Sequence, residues 1–513
     1  MEHLFAAIDL GSNALKLKIV QVNNGEMETL EDLSVQIPLG DEVFLSNTIQ
    51  LETVKEAIET LNYFKKTMET YGVIHYKAVA TSALREAENS KNIVEIIRMK
   101  TGLEVEVVED TIEKFLTYKS MRDKLPNYKE VRKGALLVEV NSGSCDISIY
   151  NQNKLIKNDE IKLGIKNLKY ILIDLEARTV NYPSVLKELI ETRTSHIWPS
   201  ITAKQLNHFL AIGGEAKQIK DILFDHKDTI PMKNFKAFCK RALLCDYDLR
   251  KQVESAGVNW YEFLATVIVY DVFTDLVKAK SIEIPNVSLR DGILAELVEK
   301  AYNLTRYKAF NNDVFTLAYE ISKRYKSGED HVKYLEQVSV KIFKSLGAVF
   351  EFHERDELLL RLAAILHEIG KYTRMRDYLI TSFEKIINLD ILGVKNDESL
   401  MIAHICRLIS SSEHKIYESN LPDVYNEDQV RVFKLASILS IADALDKGKK
   451  QRIVIEDLEI TEDSFNIWIR RTEETVLEEW SFEFTIDNFA NTFGIKPELK
   501  DVIQCFSTEN SAH

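Results

Sequence analysis

Residues 4–9 (LFAAID) and 15–22 (LKLKIVQV) are apolar or alternating runs on either side of the small-residue turn GSNA, and they predict two strands. Asn24-Gly25, a dipeptide suited to a tight hairpin, predicts a turn into a third strand. From Leu51 to Met68, apolar residues recur at Leu51, Val54, Ile58, Leu61, Phe64 and Met68. That is helical spacing, with Asn47 or Thr48 available as the cap. A strand at Lys77–Ala80, a helix near 90–100 and a strand over Glu104–Val108 follow. The order then repeats. ALLVEV (135–140), the turn NSGS and CDISIY (145–150) mirror the opening strand–turn–strand, and HFLAIGGEAK (208–217) is a strand running through a Gly-Gly turn into a helix. Two halves opening alike predict a duplicated α/β architecture with a cleft between its halves. Residues 310–450 are helical in pattern throughout, and alternation returns over 452–486 in RIVIEDLEI, FNIWIR and WSFEFTI, predicting a small strand-rich end.

The length of 513 residues exceeds what one core fills, so several domains are expected, with boundaries at 1–125, 126–305, 306–450 and 451–513. Basic residues number 66 against 80 acidic, a net charge of −14, which argues against DNA or other nucleic acid as a partner. An anionic substrate would need local cations. Eighteen consecutive apolar residues occur nowhere, and the start MEHLFAAIDLG suits a buried strand better than a signal peptide, so a cytoplasmic protein with no membrane span is expected. Five scattered cysteines without a CxxC point to reduced thiols.

Three segments could carry chemistry. In Asp9-Leu-Gly-Ser-Asn13 a strand-end carboxylate can hold hydrated Mg²⁺, Gly11 lets backbone approach a phosphate, and Ser12 and Asn13 add donors. Alone, it is more simply a hairpin turn. In ATSALREA (80–87), Arg85 follows a strand at a helix start, where a guanidinium and free N–H groups face an anion, although exposed arginines are common. In EVVEDTIEKFL (106–116), Glu113 lies on the first turn of a helix, where a carboxylate over a cleft can deprotonate water, although most helical glutamates are merely solvated.

Asp9–Asn13 matches a DLGSN opening, Ala80–Asn89 an ATSALREAxN segment, Gly213-Gly214-Glu215 resembles a Gly-Gly-Thr turn, and Val287–Leu294, centred on Arg290-Asp291-Gly292, resembles VSxxGLREGLL. In this order they resemble the exopolyphosphatase and guanosine pentaphosphate phosphohydrolase (Ppx/GppA) family, over roughly residues 1–460. The resemblance implies the duplicated fold of the actin, sugar kinase and Hsp70 group (ASKHA), with phosphates bound between two α/β domains. It implies Glu113 as catalytic base, Arg85 as phosphate clamp, Gly143, Ser144 and Gly214 as further phosphate-binding residues, and Asp9 with Glu139 as Mg²⁺ ligands. The substrate implied is inorganic polyphosphate or a guanosine penta- or tetraphosphate, cut to release orthophosphate. Where the family reads DIGGGSTE this chain has Glu139-Val-Asn-Ser-Gly-Ser-Cys-Asp146, so Asn141 and Ser142 stand in for glycines that permit positive φ. Beside Glu113, Ile112 replaces a glutamate and Phe115 an arginine.

The helical region resembles the HD superfamily, whose metal tetrad would fall on His331, His367-Glu368 and Asp443. Glu368 breaks the His-Asp pattern and 372–380 lacks further histidines, so an all-α HD-like domain without metal is expected, serving homodimer contacts and the substrate channel. A small strand-containing C-terminal part follows. The basic run Lys447, Lys449, Lys450 and Arg452 would line that channel or form a solvated loop. The rival functions are a sensor that binds alarmone or polyphosphate without turnover, and a metal phosphohydrolase acting at the HD-like tetrad.

Overall fold

The computed structural model describes residues 3–23, 26–302, 306–409 and 421–502. The chain forms two compact units, Met1–Thr316 and Leu317–His513.

The first unit holds two mixed sheets of one design. In the first, β1 (His3–Leu10), β2 (Ala14–Asn23) and β3 (Glu26–Gln36) form an antiparallel meander, and β4 (His75–Ala80) and β5 (Val105–Val107) extend it parallel to β1, in the order β3-β2-β1-β4-β5. In the second, β6 (Gly134–Val140), β7 (Cys145–Asn151) and β8 (Lys154–Ile161) repeat the meander. There β9 (His208–Ile212) and β11 (Ser281–Glu283) lie parallel to β6, and β10 (Thr229–Pro231) closes the edge. The expected duplication is therefore present in the strand order itself. The third strand forms as expected, while Asn24-Gly25 lie outside the described residues, as does Cys505; the other four cysteines are free.

Helices α1 (Leu39–Ser46), α2 (Leu51–Tyr71), α3 (Ser82–Glu86), α4 (Ser90–Thr101) and α5 (Asp110–Lys124) belong to the first sheet. Residues 5–10 of β1 are all buried, and their side chains alternate between its two covered faces. Ala6, Ile8 and Leu10 pack with Leu61 and Phe64 of α2, while Phe5 and Ala7 pack with Leu116 of α5 and Ile293 and Leu294 of the helix Leu289–Ala301. That last helix can cross α5 because residue 292 is glycine: a Cβ there would stand 2.0 Å from the Leu116 carbonyl oxygen. Arg290 donates to the Leu17 carbonyl (3.0 Å) and Asp32 (2.7 Å), and Asp291 accepts from Lys18 (2.8 Å). The Arg290-Asp291-Gly292 segment thus clamps a helix to the first sheet and backs α5.

Two local expectations are corrected. Helix α2 is preceded by Gln50, and Asn47 instead ends α1 in the left-handed region at φ 56°. The segment WSFEFTI is not a strand. Residues 480–483 close the helix Val476–Glu483, 484–485 form a turn and Ile486 opens the helix Ile486–Phe493, because Glu478, Ser481 and Phe482 bury one helical stripe while Trp480 and Phe484 of the apparent alternation stay outside.

The second unit packs the helices Glu329–Leu346, Asp356–Leu366, Asn396–Arg407 and Asn426–Ala444 around a buried apolar core. A three-stranded sheet of β12 (Ile453–Ile460), β13 (Ser464–Arg471) and β14 (Lys496–Asp501) follows. Among the described residues no helix is long and apolar enough to cross a membrane.

Candidate active site

Asp9 and Glu139 are each the penultimate residue of the first strand of their sheet, and the turns after them are built alike. The Gly11 N–H donates to the Ala14 carbonyl (3.0 Å), and the Asn141 N–H donates to the Ser144 carbonyl (2.8 Å). Each turn is then held by the helix that follows its meander. The Gly40 N–H, at the start of α1, donates to the Ser12 carbonyl (2.7 Å), and the Lys166 N–H, in the helix Ile165–Glu176, donates to the Ser142 carbonyl (3.2 Å). Asn141 and Ser142 are absent from the positive-φ residues, so the two replaced glycines cost this loop no backbone strain. The tight approach falls on Gly164 instead, where a Cβ would meet the Gly143 carbonyl carbon at 2.2 Å.

The two loops converge on α3. Ser12 Oγ lies 2.6 Å from Ser82 Oγ, and a Cβ on Gly143 would come within 3.3 Å of Glu86 Oε1. Arg85 sits in the last turn of this five-residue helix rather than at its start, so it can meet an anion through its guanidinium and not through helix N–H groups. It donates to the Val108 carbonyl (2.9 Å) and to Glu113 Oε2 (3.1 Å), with Asp110 at 3.6 Å. Gly213, at φ 101°, holds the turn beside Glu139, since its Cβ would lie 3.6 Å from Glu139 Cγ; the position of a Cβ on Gly214 is open space. Ser144 is buried, and Asn13 is exposed.

Glu113 stands on the first turn of α5, its side chain 25% exposed. Burial pushes its carboxyl up to about 7 against the pull of Arg85, with Asp110 and Asp9 adding to the rise. Glu139 is held well above the carboxylate range by burial and by the charges of Asp146 and Glu113. Burial also raises Asp9, whose Oδ1 is buried and has no hydrogen-bond partner among the described residues. Crowded acids of this kind mark a place where a cation or a proton is handled.

Local sequence pattern does not reveal Lys114, 2% exposed, whose ammonium meets Asp110 on its own helix, Asp146 on β7 (2.6 Å) and Glu160 on β8 (3.1 Å). Nor does it announce the link between α1 and the helix Ile165–Glu176, where Lys166 pairs with Asp41 (2.6 Å) and Phe44 stacks on Tyr170 at 5.0 Å. The segment 106–116 encloses Lys114 and Asp110, but nothing in it pairs them with β7 or β8. A lysine directly after Glu113 is the nearest thing to a signal.

In the second unit the fold gathers His331, His367, Glu368 and Asp443. His331 Nε2 lies 3.8 Å from Glu368 and 3.7 Å from Asp443, and His367 Nε2 lies 3.7 Å from Glu368. Both carboxylates are already neutralised, Glu368 by Lys371 and Lys449 and Asp443 by Lys447 (2.9 Å). Burial opposes ionisation of Glu368, but His367 and the two lysines hold it down to about 2, and burial lowers His367 to about 4. Three members of the basic run have internal partners: Lys447 and Lys449 serve this cluster and Arg452 pairs with Glu473 at 2.9 Å, while Lys450 is exposed.

Residues 18–301 match the Ppx/GppA phosphatase family, and residues 316–485 match domain III of Ppx/GppA phosphatases. Curated relatives include proteins named guanosine-5'-triphosphate,3'-diphosphate pyrophosphatase. The one from Vibrio vulnificus is 20% identical over 448 residues, covering 85% of this chain and 87% of its own. That from Aliivibrio fischeri is 20% identical over 452 residues, covering 86% and 87%. Among solved structures, the Aquifex aeolicus Ppx/GppA family member aligns with a TM-score of 0.50 at 20% identity, over 59% of this chain and 99% of its own. A Cytophaga hutchinsonii protein described as an exopolyphosphatase aligns with a TM-score of 0.50 at 18% identity, over 58% and 98%. At these identities the structural likeness concerns the fold alone, but the matched segments span most of the sequence. With its paired turns, its Arg85–Glu113 contact and this match, the chain belongs to the Ppx/GppA phosphatase family.

Proposed function

We propose that the cleft of the first unit hydrolyses a terminal phosphoanhydride bond and releases orthophosphate. The observation that carries this reading is Glu113, a carboxyl raised to about 7 and hydrogen-bonded to Arg85 beside two turns rich in backbone N–H groups. A base with its pKa near the working pH combines a useful ionised fraction with useful basicity. The terminal phosphoryl group would lie between the turns 11–13 and 141–144, its charge met by Arg85. Arg85 leaves Glu113 for the phosphate, and Glu113, freed, takes a proton from the attacking water. The developing charge in the loose transition state is stabilised by donors already in position.

Asp9 and Glu139 suit a hard cation such as Mg²⁺: both offer oxygen donors, both have raised carboxyls, and Asp9 Oδ1 is buried without a hydrogen-bond partner among the described residues. Bound there, Mg²⁺ would neutralise phosphate charge during transfer. The substrate class proposed is inorganic polyphosphate or a guanosine pentaphosphate; the named relatives span both. The test is phosphate release from long polyphosphate and from guanosine pentaphosphate, side by side, with and without Mg²⁺. Release from either with Mg²⁺ supports the reading. Binding of either without release would favour the sensor instead. The unstrained Asn141 and Ser142 weigh against that second reading, because strain in the altered loop is what would cost the site its turnover.

A further inference from the structure

Three carboxylates near Glu113 place one oxygen each within 4.8 Å of one another: Asp110 on α5, Asp146 on β7 and Glu160 on β8. Three acidic side chains that close, one of them fully buried, call for a cation beside them. The chain supplies it covalently. Lys114 Nζ touches all three, and although burial works against its charge, Asp146, Asp110 and Glu160 hold it above the usual lysine range. The position a metal would take is filled by an ammonium.

What this ammonium connects decides its role. Asp110, one turn before Lys114, also faces Arg85 at 3.6 Å. Asp146 accepts on its other oxygen from the Asn141 side chain (3.0 Å), and Asn141 is the first residue of the second turn. A continuous line of charged and polar groups therefore runs Arg85, Asp110, Lys114, Asp146, Asn141, from the guanidinium to the opposite phosphate loop, with Glu113 beside it on α5. Its residues come from the helices α3 and α5 of the first half and from β7 and the turn before it in the second. Asn141 departs from the family's glycine, Asp146 stands where the family has glutamate, and Lys114 flanks the base; the departures meet at one carboxylate.

We infer that Lys114, through Asp146, is a positioning residue that fixes the base Glu113 on α5 relative to the phosphate loop 141–144. This rests on the proposed hydrolase reading of that cleft. Misplacing a base by about 1 Å can cost roughly a hundredfold in rate, so a strut of this kind acts on turnover more than on binding. Lys114 also neutralises Asp110, whose charge faces Glu113. Without the ammonium, Arg85 alone opposes that charge.

The test uses Lys114→Met and the near-isosteric Asp146→Asn in the full chain, with Lys119→Met as control. Lys119 lies on the same helix, is as buried, and pairs with Glu299 (2.6 Å) away from the cleft. Both cleft variants are expected to lose tenfold or more in kcat on tripolyphosphate, with KM changed less. In Lys114→Met the acid limb of the kcat–pH profile should also move to higher pH. Lys119→Met should lose stability while its acid limb stays in place, which is what a merely structural lysine does. If Lys114→Met fails to fold, Asp146→Asn decides, since it keeps volume and the contact to Asn141. Parent kcat and parent acid limb in a folded Lys114→Met or Asp146→Asn protein would overturn the inference. Glu113→Gln, assayed alongside, separates the two levels: if it is slow while the strut variants are fast, only the strut is wrong; if it runs at the parent rate, the base assignment fails. Should the parent release no phosphate, the hydrolase reading fails and the inference, which rests on it, falls with it.

Discussion

Glu113→Gln should make the protein slower and, above neutral pH, more stable. The carboxyl ordinarily titrates at 4.5 and in the fold at about 7, because burial outweighs the attraction of Arg85. Below pH 4.5 it is protonated in folded and unfolded chains alike, and contributes no difference. As pH rises from 4.5 to about 7 the unfolded chain ionises more readily than the folded one, so stability falls; above about 7 the full penalty is present. At about 1.4 kcal/mol per pH unit the span comes to roughly 3 kcal/mol, a ceiling because the side chain is a quarter exposed. Gln carries no such penalty. Relative to the parent, the variant should therefore gain up to about 3 kcal/mol between pH 4.5 and pH 8. Any pH-independent cost of weakening the Arg85 contact cancels in that comparison. Urea titrations read by hydrogen exchange of α5 peptides, at pH 4.5, 6 and 8, report on the right unit. A stability difference that stays flat across those pH values would refute the perturbed carboxyl. Turnover should fall by about 10²–10⁴, the usual contribution of a positioned base.

Arg85→Ala should raise KM as well as lower kcat, because its charge meets phosphate in ground and transition states alike; steady-state kinetics on tripolyphosphate would show a pure kcat effect if the clamp assignment is wrong. Protein purified without chelator should carry no near-stoichiometric Mn, Fe, Ni or Zn in its second unit, since Lys371, Lys449 and Lys447 already neutralise Glu368 and Asp443; elemental analysis finding such metal, lost in His367→Ala, would contradict this. Neutralising Lys449, Lys450 and Arg452 together should leave the KM for long polyphosphate within about twofold and lower thermal stability, because Lys449 and Arg452 serve Glu368 and Glu473. A several-fold rise in KM confined to long chains, falling with salt, would return the run to substrate binding.

Much of the first unit was legible because its strands advertise themselves. LFAAID is buried on both faces and LKLKIVQV pairs with it, so period and turn residues agree with the fold. Helix α1 was missed because IPLGDEVFLS is short and opens with proline and glycine; its worth lies in the Gly40 bond to the Ser12 carbonyl, which no local pattern encodes. WSFEFTI misled because alternating aromatics imitate a strand, whereas burial there follows a helical stripe. At the site, Asp9 and Glu139 sit at strand ends and Glu113 on a first helical turn, positions that a local motif displays, whereas Arg85 closes a five-residue helix. No local motif displays the cluster of Lys114, Asp110 and Asp146. Their meeting depends on two sheets approaching, and a lysine amid acidic residues reads, in one dimension, as an ordinary solvated helix face.

The central claim is that water, activated at Glu113, attacks the terminal phosphorus in this cleft. Hydrolysis of tripolyphosphate or guanosine pentaphosphate in ¹⁸O-labelled water with Mg²⁺, followed by mass spectrometry of both products, tests it most directly. One ¹⁸O in the released orthophosphate and none in the shortened product, at a rate that collapses in Glu113→Gln, is the predicted result. Label in the shortened product, or parent-rate release by Glu113→Gln, would contradict it.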